Sequence, residues 1–248
     1  MCAFTTLRDM RQPCHPAERQ AEDLTPQDTP SIEPGPASTP GASAEVEIGR
    51  AASTRPFPNK AAAERNRLAI LQSHPWMDPE QLNSRINAVM EQNSSLKSKR
   101  AKFISIANEV NAAVAPHAAC KVGCSHCCHI SVIIFKHEAD RLSHATGRQV
   151  QPVPIRDPHM MSGHANRYQG QPCPFLIEER CSVYDNRPVI CRLHHSIDDA
   201  PNQCDLTVVS TVSSVPTLNL KFLELAYTYL GVVKGEPIGD IREFFPTT

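Results

Sequence analysis

Apolar residues recur at helical spacing in three segments that follow residue 60. The segment "KAAAERNRLAILQ" is rich in helix formers, and "MDPEQLNSRINAVMEQ" offers Asp78 as an N-cap with Pro79 in the first helical position. In "SSLKSKRAKFISIANEVNAAVAP" apolar residues from Leu96 to Val114 recur at helical spacing, and Pro116 ends the run. These signals predict three helices, and the apolar stripe of the third is expected to face a core.

The apolar pattern after the first cysteines predicts shorter elements. A strand is expected around Ile130 to Phe135, followed by a helix from about Lys136 to Ala145 that Gly147 closes. The segment "PCPFLIEERCSVYDNRPVICRLHHSIDDAPNQC" is typical of short turns and strands, and Thr217 to Leu230 is expected to form the final helix. We therefore predict a small α+β fold, mainly α-helical with short strands.

Proline and polar residues dominate the first part of the chain. Nine of the 22 prolines lie in residues 1–58, together with Ser, Thr, Gly and acidic residues and without apolar periodicity. The chain is therefore expected to divide into a disordered tail at 1–58, a helical segment at 59–116 and a cysteine-rich domain at 117–248. The two cysteines of the tail, Cys2 and Cys14, are expected to be unpaired thiols.

Charge and hydropathy exclude several classes of partner. The formal net charge is −1, which gives no electrostatic argument for nucleic acid or an anionic membrane. The longest aliphatic and aromatic stretch, Val132 to Phe135, is too short to span a bilayer, and the N-terminus lacks the apolar core of a secretory signal. We expect a cytoplasmic protein without a membrane partner; a protein partner stays open.

Eight of the ten cysteines lie within 85 residues, and four of them form the run "CKVGCSHCC". Such crowding has three explanations: disulfides, metal ligation and thiol redox chemistry. In a reducing cytosol, clustered thiols indicate metal rather than disulfides, and the adjacent pair Cys127 and Cys128 could bond each other only through a strained ring. The clustered residues are Cys120, Cys124, Cys127, Cys128, Cys173, Cys181, Cys191 and Cys204.

Spacing gives these cysteines the geometry of metal ligands. Cys124 and Cys127 form a Cys-x2-Cys pair, which lets two thiolates converge on one ion. Cys120 can add a third sulfur from the same loop, with Gly123 available for a left-handed turn. The remaining ligands would come from distant segments, so metal binding and folding are expected to be coupled.

Eight thiols exceed the four protein ligands that one zinc ion or one cubane cluster takes. Either two sites are present, or one site uses four thiols and the others have different roles; Cys204 is the weakest candidate, because no thiol neighbours it in sequence. Four histidines stand beside cysteines and could complete a mixed site, although each alone suits a surface or supporting position better. They are His126, His129, His194 and His195.

The ordered motifs "CKVGCSHCC", "CPFL" and "CSVYDNRPVICR" resemble the YkgJ-type cysteine-cluster family, a zinc- or iron-chelating domain. The resemblance spans about Cys120 to Cys204 and names no substrate. It implies chelation by seven cysteines, with Cys204 carried over less securely. The seven are Cys120, Cys124, Cys127, Cys128, Cys173, Cys181 and Cys191.

Two arginines flank the third of the distant cysteines. Arg187 and Arg192 lie on either side of Cys191, and guanidinium groups there would offset the negative charge of a thiolate-ligated metal. Both arginines are therefore predicted to support the ligands without touching the metal. The alternative is that both simply solvate a loop.

The cofactor predicted from the cysteines is an iron–sulfur cluster or zinc. More than four clustered cysteines favour a cluster with spare thiols over a single zinc. A structural zinc-binding module for protein interaction is one alternative. Another is a thiol-redox or cluster-dependent oxidoreductase or transferase, in which Cys127 and Cys128 lie beside His126 and Lys121. No catalytic residue can be assigned from the sequence, and whether the protein is an enzyme stays open.

Overall fold

A computed structural model describes residues 59–121, 123–161, 163, 166–205 and 215–247. Chain contacts divide the protein after Ala51, and every described residue belongs to the unit Ala52–Thr248. The predicted disordered tail at 1–58, including Cys2 and Cys14, lies outside the described residues. The proposed division of the chain into three parts stays a prediction.

Three helices open the described part of the chain, as the apolar pattern predicts. They are α1 (Lys60–Ser73), α2 (Pro79–Glu91) and α3 (Leu96–Val114). The side chain of Asp78 caps α2 by accepting from the backbone N–H of Glu80, and Pro79 is the first helical residue. Ser95 caps α3 in the same way through the N–H of Ser98.

Short elements complete the structure. In chain order they are β1 (Ile133–Phe135), α4 (Lys136–Thr146), β2 (Leu176–Ile177), β3 (Arg180–Cys181), α5 (Val189–Leu193), α6 (Lys221–Val232), β4 (Ile238–Asp240) and α7 (Ile241–Phe244). Gly147 ends α4 with a φ of 73°, the left-handed conformation expected at that position. The predicted class, mainly helical with short strands, is confirmed. None of the described helices is both long and apolar enough to cross a membrane.

The C-terminal part of the chain differs from the sequence expectation. The helix predicted at Thr217 to Leu230 is α6, and it is not the final element, because β4 and α7 follow it. Strand β4 pairs antiparallel with β1, with Ile134 opposite Gly239. The end of the chain therefore returns to the strand that directly follows the first cysteine loop.

A first apolar core joins the helices on both sides of the cysteine loop. Within α3, Phe103, Ala107, Val110 and Val114 are buried, as the predicted stripe requires. They pack with buried residues of α5 and α6, among them Val189, Leu193, Leu223 and Leu230. The helix that carries Cys191 is thus part of the helical core.

A second core lies beneath the cysteines. It is formed by Val132, Ile134, Ala139, Leu142, Val153, Phe175, Val183, Ile241, Phe244 and Phe245. Three half-buried cysteines, Cys173, Cys181 and Cys191, pack against it. Burying these thiols on an apolar surface holds their backbone while their sulfurs stay near the cavity described below.

Candidate metal centre

The first cysteine loop is built from two tight turns. Gly123 adopts a φ of 89°, which favours glycine, and the N–H of Cys124 donates to the carbonyl of Lys121 at 2.9 Å. A 3-10 turn at His126–His129 then carries the adjacent pair, and the N–H of Cys128 donates to Ser125 at 2.7 Å. The turns place thiols of this loop along the two cavities described below, and their predicted convergence on one metal stays a prediction.

Backbone hydrogen bonds join the second cysteine segment to this loop. The N–H of Cys173 donates to the carbonyl of Cys128 at 2.7 Å, and that of Gly170 donates to His129 at 2.7 Å. Cys173 is therefore fixed beside the adjacent pair, although 45 residues separate it from Cys128 in sequence.

A hairpin delivers the next cysteine. Strands β2 and β3 pair Leu176 with Cys181, and Glu178 and Glu179 form the turn with φ values of 47° and 58°. The hydroxyl of Ser125 donates to the carboxylate of Glu179, which fastens the turn to the first loop. Cys181 is thereby held opposite Leu176 and close to the thiols of that loop.

Backbone amides point at two of these sulfurs. Burial raises the pKa of Cys173 to about 11, while the N–H of Phe175 donates to its sulfur and opposes that shift. Burial likewise raises the pKa of Cys181, opposed by the N–H of Val183. Amide donors two residues after a cysteine are the groups that soften the charge of a metal-bound thiolate.

Cys191 lies on α5, which other elements hold on several sides. Glu138 of α4 accepts a hydrogen bond from the N–H of Val189 at 2.9 Å, at the start of the helix. Arg141, also on α4, donates to the carbonyl of Arg187 at 2.8 Å. Burial raises the pKa of Cys191 well above its usual value, so this thiol needs a cation to be held as a thiolate.

The two arginines predicted to support the ligands are both buried. Arg192 donates to the carbonyl of Arg187 at 3.0 Å, to the carbonyl of Asp185 and to the side chain of Asn108. Arg187 donates to Asn111 at 2.6 Å, and its guanidinium lies 3.8 Å from the ring centre of Tyr184. They fasten α5 to α3, and their predicted offsetting of thiolate charge stays a prediction.

Cys120 and Cys204, at the two ends of the motif region, come together. The N–H of Ala119 donates to the carbonyl of Ser196 at 2.8 Å, which places Cys120 beside the segment after α5. Burial raises the pKa of Cys204 to about 12, and the thiolates of Cys120, Cys124 and Cys127 raise it further. Cys204, the weakest candidate by sequence, therefore lies among the other thiols.

The eight clustered cysteines line two neighbouring cavities. The first cavity has a volume of about 320 Å³, and six cysteines line it: Cys124, Cys127, Cys128, Cys173, Cys181 and Cys191. The second cavity has a volume of about 450 Å³, and its cysteines are Cys120, Cys124, Cys127, Cys191 and Cys204, joined by His194 and His195. Arg187 and Tyr184 line both.

The donors surround these cavities without converging on a point. Among the described residues, no three His, Cys, Asp or Glu side chains are close enough together to hold a metal ion as they stand. The donor chemistry nevertheless fits zinc or iron, because all eight described cysteines are free thiols and amide N–H groups face several sulfurs. Ligation would therefore need the thiols to rotate inward.

The four candidate histidines separate into two groups. His126 and His129 line neither cavity, and His129 Nδ1 lies 3.2 Å from the carbonyl of Ser125. His194 and His195 line the second cavity, and burial lowers the pKa of both, that of His195 to about 4. Both are therefore neutral imidazoles near pH 7, the form that binds metals.

The adjacent cysteines have opposite acidities. The Cys128 thiol acts as a hydrogen-bond donor toward Cys127 and lowers the pKa of Cys127 to about 7. The same interaction, with burial, raises the pKa of Cys128. Of the pair, Cys127 is the thiol that ionises first.

Sequence reasoning missed an arginine that holds the two halves of the site together. Arg242 donates to the carbonyls of Cys128 and Ile130 at 3.2 Å each, and to Pro172 at 3.1 Å. It also pairs at 2.9 Å with Asp240, a fully buried carboxylate that accepts from the N–H of Val132. The spacing Asp240-x-x-Glu243, a capping box, was the signal for this short helix.

The fold and the cavities define a mainly helical domain with a cluster of free thiols. Residues 119–207 match the family model CxxCxxCC, described as "Putative zinc- or iron-chelating domain". The resemblance drawn from the motifs is confirmed, and the matched residues include all eight clustered cysteines. Comparison with curated proteins and with solved structures gave no match.

Proposed function

We propose that this protein uses its cysteine cluster to hold a thiolate-ligated metal, an iron–sulfur cluster or zinc, that staples distant segments of the chain together. The observation that supports this most is the first cavity, where six cysteines from four separate segments face one space. The segments are the first loop, the turn at Cys173, the hairpin and α5. Without a metal, six thiols facing one cavity would add little stability.

The residues of the first cavity would have different roles in holding the metal. Cys128, Cys173, Cys181 and Cys191 supply sulfurs, and the amides of Phe175 and Val183 donate to two of them. When bound, the metal would supply folding free energy, as structural metal sites do, and an iron–sulfur cluster would also accept and release an electron. Arg187, which lines both cavities, contributes positive charge.

Zinc and an iron–sulfur cluster share the same thiolate chemistry. The surplus of thiols over four favoured a cluster from sequence alone. The thiols divide over two cavities, so the surplus at any one site is smaller than the total of eight, and an iron–sulfur cluster is less strongly favoured over zinc. A reducing compartment, the cytoplasm, would keep these thiols available to a metal.

Metal and acid-labile sulfide analysis of the full chain, purified without oxygen, tests the proposal. Iron with sulfide and a visible chromophore that bleaches on reduction would support an iron–sulfur protein. Colourless protein that contains zinc and unfolds with a chelator would support a structural zinc module. Metal-free protein that stays folded, with thiols that cycle reversibly to disulfides, would overturn the proposal in favour of thiol-redox chemistry.

A further inference from the structure

Three cysteines form a wall that the two cavities share. Cys124, Cys127 and Cys191 line both spaces. Each cavity also has thiols of its own: Cys128, Cys173 and Cys181 line only the first, whereas Cys120 and Cys204 line only the second. The cluster is therefore not one ring of eight sulfurs around one centre.

The second cavity contains a buried nitrogen that the fold does not use. His194 Nε2 is shielded from solvent and has no hydrogen-bond partner among the described residues. Leaving such an atom unpaired is unfavourable unless a ligand satisfies it. The neighbouring His195 differs in that its Nε2 lies 2.8 Å from Asn111 Oδ1, although its Nδ1 is likewise buried and has no hydrogen-bond partner among the described residues.

Donor counts agree with a division into two sites. Zinc and iron sites in proteins take four protein ligands, and imidazole joins thiolates readily in such sets. Cys128, Cys173 and Cys181 with Cys191 from the wall give four donors to the first cavity. The second cavity gains a matching set of Cys120, Cys204, His194 and Cys124.

We propose that the cysteine cluster holds two metal positions, an all-sulfur position in the first cavity and a mixed position with His194 as its nitrogen ligand in the second. Cys127 lines both cavities, belongs to neither set of four and lies next to both positions. This inference rests on the proposed function, because it assigns ligands for a metal that the cluster must first bind. It adds a second site and a histidine ligand.

Titration of the metal-free, reduced full chain with Co²⁺ tests the division. The wild type should bind two equivalents, and its d–d absorption should combine an all-thiolate and a thiolate–imidazole spectrum. Cys204→Ser and His194→Ala should each retain about one equivalent with the all-thiolate spectrum. Cys181→Ser should retain about one equivalent with the mixed spectrum, and Cys127→Ser should weaken both.

Two further variants keep the test decisive. His126→Ala, beside Cys127 in sequence but outside both cavities, should bind two equivalents with the wild-type spectrum. His194→Cys should restore the second equivalent with an all-sulfur spectrum, which a merely structural histidine would not produce. Far-UV circular dichroism of each variant identifies any that fail to fold.

The outcomes separate this inference from the proposed function. No Co²⁺ bound by the folded wild type would overturn the two metal positions, whereas the proposed function is overturned only by the metal and sulfide analysis described above. One equivalent in the wild type, lost equally in Cys181→Ser and Cys204→Ser, would leave metal binding standing and overturn the two positions. An unchanged spectrum in folded His194→Ala would overturn the histidine ligand.

Discussion

Arg187 Nη2 lies 2.6 Å from Asn111 Oδ1, and this contact fastens the loop before Cys191 to the third helix. The same oxygen accepts from His195 Nε2 at 2.8 Å. One amide on α3 therefore positions a guanidinium that lines both cavities and an imidazole that lines the second. Through Asn111 the helical core and the thiol cluster are mechanically joined.

Asn111→Ala should lower both stability and metal retention. Removing the amide leaves buried N–H groups of Arg187 and His195 without their acceptor, at a cost of about 2 kcal/mol. Urea unfolding and metal content per chain measure the two effects. Asn83→Ala on α2, far from the cysteines in sequence, should change stability by less than about 0.5 kcal/mol. Equal effects of the two substitutions would contradict this role for Asn111.

Arg242→Ala should be more damaging. Asp240 is fully buried, and loss of its 2.9 Å partner leaves an uncompensated charge while the carbonyls of Cys128 and Pro172 lose their donor. We expect a loss of about 3–5 kcal/mol in the free energy of unfolding. The exposed pair Arg65–Asp199, at 3.3 Å, supplies a control, and Arg65→Ala should cost less than about 1 kcal/mol. A loss below 1 kcal/mol for Arg242→Ala would contradict the role of Arg242 in holding the two halves of the site together.

Stability should fall in mild acid through His195. Burial lowers the pKa of His195 from 6.5 to about 4, so the unfolded chain takes up the proton first. Its stabilising contribution is fully present above about pH 6.5 and is lost as the pH falls towards 4, about 3 kcal/mol in total. The wild-type free energy of unfolding, measured by urea at equal metal load, should approach that of His195→Gln over this range. If the difference in the free energy of unfolding between the wild type and His195→Gln did not change with pH, His195 would not titrate in this way.

Chelation should loosen the cysteine region before the helices. The second core is the smaller one, and the N–H of Cys173 depends on the first loop for its acceptor. Hydrogen exchange of chelated, reduced protein should therefore rise at Cys173 and in the β2–β3 hairpin, whereas α3 and α5, which belong to the first core, should keep more of their protection. Uniform loss of protection along the described chain would indicate one cooperative unit instead.

Removal of residues 1–58 should leave the metal content unchanged. The tail is polar and rich in proline, and its Cys2 and Cys14 lie in sequence that lacks apolar periodicity. The truncated chain should bind the same metal per molecule and unfold at the same urea concentration as the full chain. Loss of metal would place a ligand in the tail and move the domain boundary.

Local signals predicted much of the fold. The cap at Asp78, the α3 stripe and the Gly147 stop each act within a few residues, and all three are confirmed. The pairing of strand β4 with β1 and the hydrogen bond from Arg242 to Cys128 each join residues more than 100 positions apart, and periodicity along the sequence does not encode such contacts. The cysteine motifs indicate thiolate ligands because their spacing is also local in the sequence. The division of the thiols between two cavities arises from tertiary packing, which that spacing does not encode.

The turn of the hairpin that carries Cys181 has backbone conformations that its residues rarely adopt. Two glutamates occupy left-handed positions in which asparagine and glycine are favoured, and each strand is only two residues long. Such a hairpin has little reason to form in an isolated peptide. Its turn is anchored by the hydrogen bond from Ser125 to Glu179, 54 residues away in sequence. The position of Cys181 therefore depends on the cysteine loop, and a change at Ser125 should act on the hairpin as well as on its own loop.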